Sequence, residues 1–187
     1  MTETEFLAAV RSNPNNEAIL TRLPALGLPD AWLVAGALFQ TVWNEMTKRE
    51  PGYGIKDYDI IYFDADTSWD AEDGAIKRAR ALFADLPVEI DVRNQARVHL
   101  WYEEKFGIPY PPLTRATDAI DRFLSRNAQV GISPSGTGRT VYAPHGFEDI
   151  VNMRVRPNRT ANFRQDLFAR KVQRLQSLWP NIRVENE

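Results

Sequence analysis

The chain has 187 residues, of which 43% are hydrophobic and 26% charged, so a single globular domain with its own core is expected and a stapled miniprotein, a fibrous repeat and a disordered tract are excluded. Lys and Arg total 23 against 25 Asp and Glu, a formal charge of -2, which gives no broad positive field for a polynucleotide, and DNA is not expected as a partner. With no Cys and two His, thiolate and His-rich metal sites drop out, leaving hard metals held by carboxylates. The acidic start, Met1 to Glu5, is unlike a signal peptide and no apolar run approaches the roughly 20 residues of a membrane span, so a cytoplasmic location is expected.

In chain order, Phe6, Leu7, Val10, Ile19, Leu20 and Leu23 have helical spacing interrupted by Asn13-Pro14-Asn15, which predicts two short helices. The apolar run Ala31 to Gly36 predicts a strand and tight turn, and Leu38, Phe39, Val42, Trp43 and Met46 predict the helix that follows. A charged, turn-rich segment from Thr47 leads into a predicted strand from Asp57 to Asp64. Ser68 or Thr67 can cap a helix running toward Pro87, and a third strand is expected from Val88 to Arg93. Spacing of Val98, Trp101 and Tyr102 predicts a helix from Gln95 to Phe106, with Trp101 and Tyr102 on its core side. After the proline-rich connector at 109–112 come a helix at about 114–124, strands around Val130 and Val141 joined by Pro134 to Gly138, and a last helix through Phe163, Leu167, Val172, Leu175 and Trp179. These elements predict an α+β fold, a mixed sheet with helices on its faces.

Alternate residues of a strand share a face, so Asp57 and Asp59 project together, about 7 Å apart, and their repulsion is relieved by a cation or by water. The same alternation puts Glu89, Asp91 and Arg93 opposite the core face of their strand, where a third acid could meet the first two across paired strands. Gly36 stands where a strand turns into a helix, and a helix start offers unpaired N–H groups to phosphate oxygens. A phosphate-binding turn and acids for Mg²⁺ are what phosphoryl or nucleotidyl transfer requires. Spacing alone fits solvated strand-end acids equally well, and Gly36 alone fits a plain turn.

The order Leu33-Val34-Ala35-Gly36-Ala37, Asp57-Tyr58-Asp59 and Glu89-Ile90-Asp91 resembles the nucleotidyltransferase superfamily that includes polymerase beta. From about Trp32 to Pro180 the chain is similar to a family of bacterial nucleotidyltransferase-like proteins of unassigned substrate. The similarity includes Val42 to Asn44, Asp57 to Asp64, the distinctive Arg93 to Tyr102, Ala143 to Asp149 and Arg156 to Asn158. The resemblance implies one nucleotidyltransferase-type domain over 1–187, with a core at about 30–106 and a C-terminal helical and β subregion at about 113–187. It also implies Asp57, Asp59 and Asp91 as catalytic residues and ligands of two Mg²⁺ ions, with Mn²⁺ as an alternative, and Asp91 helping to deprotonate the acceptor. The implied donor is a nucleoside triphosphate and the acceptor hydroxyl belongs to a small molecule, protein or RNA. Gly36, Ala37, Arg93, Asn94 and Arg97 are candidate nucleotide contacts, although Asn94 can equally cap a helix and Arg97 pair with an acid.

Two departures stand out. Ala37 replaces the Ser common in the superfamily, and the interval from Gly36 to Asp57 is long enough to make the segment 47–56 an insertion or extended link. A non-catalytic nucleotide-binding or scaffold module and a metal-dependent nuclease using Asp59, Glu89 and Asp91 are the competing functions, with Arg93 standing where such nucleases commonly carry Lys. His145 is expected in a turn, Asp149 in a short helix, and Arg154, Arg156, Arg159, Arg164, Arg170, Lys171 and Arg174 on a solvated surface.

Overall fold

In the computed structural model, which describes residues 1–136 and 138–185, the N-terminal pair of helices forms where caps allow it. Helix α1 (Glu3–Arg11) opens on a capping box between Thr2 and Glu5. Helix α2 (Pro14–Arg22) starts at the predicted interruption because Asn13 caps it and Pro14 occupies its first position. The fully buried Asn13 side chain also donates to Thr41 Oγ1 (3.1 Å) and Tyr58 Oη (3.0 Å), tying the cap to the core.

Strand β1 (Trp32–Val34) runs into helix α3 (Gly36–Met46), then strand β2 (Tyr58–Tyr62), helix α4 (Trp69–Leu82) and strand β3 (Ile90–Asn94). Short helices α5 (Tyr102–Phe106) and α6 (Thr117–Ile120) precede the hairpin of strands β4 (Gly131–Ser135) and β5 (Gly138–Tyr142). Helix α7 (Glu148–Val151), strand β6 (Arg154–Val155), helix α8 (Gln165–Leu178) and strand β7 (Arg183–Val184) complete the chain. The five-stranded sheet has the order β3-β2-β1-β4-β5, with β2 and β3 parallel and the other neighbours antiparallel, which makes it the expected mixed sheet. The last part contributes a separate parallel pair, β6 with β7. Among the described residues, no helix is long and apolar enough to cross a membrane.

Alternation divides the sheet into two unequal faces. Leu33, Tyr58, Ile60, Tyr62, Val92 and Ile132 join the main core with residues of α1, α2, α3, α4 and α8. Trp32, Val34 and Ile61 face the other way onto a smaller cluster with Val98, Tyr110 and α6. The thin packing on this second face leaves room for the cavity described below.

Four expectations change. Strand β2 is shorter than 57–64 because Asp64 enters a turn, accepting from Asp66 N–H (2.9 Å) while its own N–H donates to Asn94 Oδ1 (3.0 Å). The expected helix from Gln95 to Phe106 is a 3₁₀ segment, Gln95–Leu100, followed by α5, with the break at Trp101 (φ -129°, ψ -14°). The helix expected near 114–124 contracts to α6, and in the β4–β5 link Pro134 and Ser135 belong to β4, while Thr137 lies outside the described residues. At the turn after β1 the positive-φ backbone falls on Ala35 (φ 54°, ψ -112°) and not on Gly36.

Candidate active site

The register of the sheet assembles the site. Val34 of β1 lies opposite Asp59 of β2, and Asp59 lies beside Asp91 of β3, so the two carboxylates project from adjacent strands on the same face. They line a cavity of about 1000 Å³ together with Val34, Ala35, Ile61 and Arg93. Asp57 sits just ahead of β2, partly exposed, with its Oδ2 3.6 Å from Lys56 Nζ. Burial, then the charges of Asp57 and Asp91, push the Asp59 carboxyl up to about 7, against the opposing pull of Lys171 and Lys56. Asp91 is held by Arg93, Nε to Oδ2 at 3.1 Å and Nη2 to Oδ1 at 3.0 Å.

A divalent cation would fit this charge arrangement, since the neighbouring carboxylates of Asp57 and Asp91 add to burial in raising Asp59, and carboxylate oxygens are what Mg²⁺ selects. With Asp91 turned onto Arg93 and Asp57 beside Lys56, no three His, Asp or Glu side chains among the described residues converge as a ready metal cage.

At the mouth of α3, Ala35 adopts a conformation that L-residues rarely occupy, with its N–H bonded to Val130 O (2.9 Å), and its carbonyl accepts from the N–H groups of Leu38 and Phe39. At Gly36 a Cβ would come within 2.7 Å of the Gln40 side-chain nitrogen, so a larger residue there would have to displace the end of that side chain. Ala37 differs from its expected role: it has no accessible surface, and its carbonyl accepts from Asn16 Nδ2 (2.9 Å) and Thr41 Oγ1 (2.7 Å). Ala37 therefore offers no surface to a phosphate at this turn.

Asn94 is also committed elsewhere. Its Oδ1 accepts from the N–H groups of Asp64 (3.0 Å) and Ala96 (3.1 Å), and its Nδ2 donates to the carbonyls of Asp64 (2.9 Å) and Asp66 (3.2 Å). Both donors and both acceptor positions are used, so the buried amide fastens the β2–α4 loop and has nothing left for a nucleotide. Arg97 lines the cavity but sits 3.0 Å from Glu72 Oε2, donates to the Thr67 carbonyl, and lies 5.6 Å from the Trp69 ring centre. Glu72 in turn accepts from Asn94 N–H (2.9 Å). Arg93 is exposed at the cavity edge, while Glu89 is exposed and does not line the cavity.

Four participants escape the sequence pattern. Trp101 and Tyr102, expected in the core, are half-buried and form a cavity wall with Tyr110, the Tyr102 and Tyr110 ring centres 4.5 Å apart, because the break at Trp101 turns them off a helical face. Glu72 aligns with the buried Ala75 and Ala79, an acid at an apolar position of α4. Lys171, expected on the surface, lines the cavity beside Asp59 and is pushed down to about 8, chiefly by burial, with Asp59 opposing. Its position three residues after buried Phe168 and four before buried Leu175 is the signal that marks it. Of the other basic residues of this region, Arg154 and Arg156 are half-buried where a solvated surface is expected, because they pair with the buried Asp149 and with Glu185, and the half-buried Arg164 pairs with Asp166.

A family profile described as nucleotidyltransferase matches residues 21–184. The chain belongs to the nucleotidyltransferase family. A solved NMR structure described as revealing a CCA-adding enzyme head domain is similar to this nucleotidyltransferase with a TM-score of 0.79 and 29% identity, covering 100% of this chain and 97% of that one. No curated protein matches it. The similarity extends over the C-terminal elements as well, so the cavity formed by the sheet, α6 and α8 falls within the shared fold.

Proposed function

We propose that this nucleotidyltransferase moves a nucleoside monophosphate from a nucleoside triphosphate to an acceptor hydroxyl, with Asp59 and Asp91 at the centre and Asp57 as the third acid. The observation that carries this reading is the side-by-side placement of Asp59 and Asp91 beside the strained Ala35–Gly36 turn. Mg²⁺, or Mn²⁺, held by these carboxylates as two ions would neutralise the triphosphate and polarise its phosphoryl oxygens. Asp91 leaves Arg93 to accept the acceptor's proton. The acceptor oxygen then bonds to the α-phosphorus, the bond from that phosphorus to the bridging oxygen breaks, and pyrophosphate departs with its electron pair. The N–H of Gly36 and the positive end of the α3 dipole attract the phosphate tail. The Glu72–Arg97 pair and Asn94 hold the loop that borders the cavity. A cytoplasmic location, where nucleoside triphosphates are abundant, accords with this chemistry.

Triphosphates labelled at the α- or γ-phosphorus, supplied with Mg²⁺ and a panel of small-molecule, protein and RNA acceptors, test it. The expected result is α-label on one acceptor and γ-label only in pyrophosphate. The inaccessible Ala37 and the lack, among the described residues, of three converging acids favour one second reading, a nucleotide-binding module without turnover. Triphosphate binding without pyrophosphate release across the panel would establish it. Cleavage of nucleic acid in the absence of triphosphate would replace both readings with a nuclease.

A further inference from the structure

Most cations around the cavity are already engaged. Arg93 is paired with Asp91 and Arg97 with Glu72, while Arg122 lies 4.5 Å from the Tyr110 ring centre and donates to the Pro111 carbonyl (3.1 Å). Lys171 is different: half-buried at the cavity wall, it makes no ion pair or hydrogen bond among the described residues, and its Nζ rests 5.9 Å from the Phe39 ring centre. A partly desolvated ammonium with neither an ion pair nor a hydrogen bond is costly, and at this position of α8, between Phe168 and Leu175, an apolar side chain would pack at no such cost. Its neighbours identify what it awaits. Asp59 acts on it from β2, and Phe39 belongs to the first turns of α3, the helix that opens at the Ala35–Gly36 turn.

We propose that Lys171 is the residue that receives the phosphate tail of the donor, from α8 on the far side of the cavity from the Ala35–Gly36 turn. The inference rests on the nucleotidyl-transfer reading. A polyphosphate bridged between α3 and α8 gives the ammonium the charge-assisted hydrogen bonds it lacks and places the α-phosphorus next to Asp59 and Asp91. The ligand class follows: a tri- or diphosphate tail is recognised at Lys171, and a monophosphate is too short to use it fully.

Calorimetry with ATP, AMP and inorganic triphosphate, with and without Mg²⁺, on wild type, Lys171→Met, Lys171→Gln and Lys171→Arg tests the assignment. Lys171→Met and Lys171→Gln are expected to weaken ATP and inorganic triphosphate by about 10- to 100-fold and AMP by much less, whereas Lys171→Arg retains most of the affinity. Lys171→Met should melt at or above the wild-type temperature, since a partly desolvated charge is removed, and Lys171→Gln keeps the test open should the Met variant fold poorly. Equal losses for AMP and ATP, or undiminished ATP binding, would overturn the assignment. If wild type transfers label and the Met variant does so equally, the inference alone fails. If wild type binds no triphosphate, the inference and the proposed function fail together.

Discussion

Burial and the neighbouring carboxylates at 57 and 91 raise Asp59 to about 7, so near neutral pH the unliganded protein holds this carboxyl partly protonated. The folded state therefore binds a proton more tightly than the unfolded chain, whose Asp titrates near 3.8. Asp59 contributes its full stability below the unfolded value and loses it as pH rises toward 7. Thermal melts from pH 4 to 8 should show this decline, and Asp59→Asn should flatten it while gaining about 1 kcal/mol or more at pH 8, with transfer lost. A variant as pH-sensitive as wild type would contradict the placement. The turn gives a second residue-scale prediction: Ala35→Gly removes an unfavourable left-handed Ala and should stabilise by about 1 kcal/mol in chemical denaturation. The shared face of Asp59 and Asp91 was legible in the sequence because alternation fixes which face a strand residue takes, although alternation alone left Glu89 beside Asp91 as a candidate. Lys171 was not, since the sequence pattern displays a basic series and conceals that one member falls on the buried side of a helix.

At the scale of elements, the 3₁₀ segment after β3 matters more than the helix expected there. Asn94 ends β3, caps the segment and pins the β2–α4 loop, so one buried amide positions Trp69, Glu72 and Arg97 along one side of the cavity. Asn94→Ala leaves several buried backbone groups without partners and should cost at least about 2 kcal/mol, with faster hydrogen exchange at 64–68 as the local signature. Strand alternation, the helix break at Asn13-Pro14 and the caps at Ser68 and Asn94 were readable because they depend on neighbours in sequence. The break at Trp101 depends on the tertiary stacking of Trp101, Tyr102 and Tyr110, which periodicity does not encode, and it turned an expected core pair into a cavity wall.

Across the whole molecule, the C-terminal part closes the site that the first half builds. Trp179 donates from Nε1 to Asn44 Oδ1 (3.2 Å) and meets Trp43 edge-on at 5.5 Å, while Asn44 Nδ2 donates to the carbonyls of Pro51 and Tyr53, both at 2.9 Å. The long interval between Gly36 and Asp57 is thereby folded into a link that anchors α8. Gly54 permits this packing: it has φ +71°, and an added Cβ would lie 2.7 Å from the Trp179 ring. Gly54→Ala should cost about 2 kcal/mol and weaken triphosphate binding indirectly through α8, measured by denaturation and calorimetry. The sequence showed a mixed sheet with helices but not the docking of α8 over the carboxylates, which comes from contacts more than 100 residues apart, such as the Asn44–Trp179 bond. The most direct test of the central claim is pyrophosphate release from a nucleoside triphosphate and its acceptor by wild type, Asp59→Asn and Asp91→Asn. Loss of about 100-fold or more in each folded variant is predicted, and undiminished release in both would contradict the account.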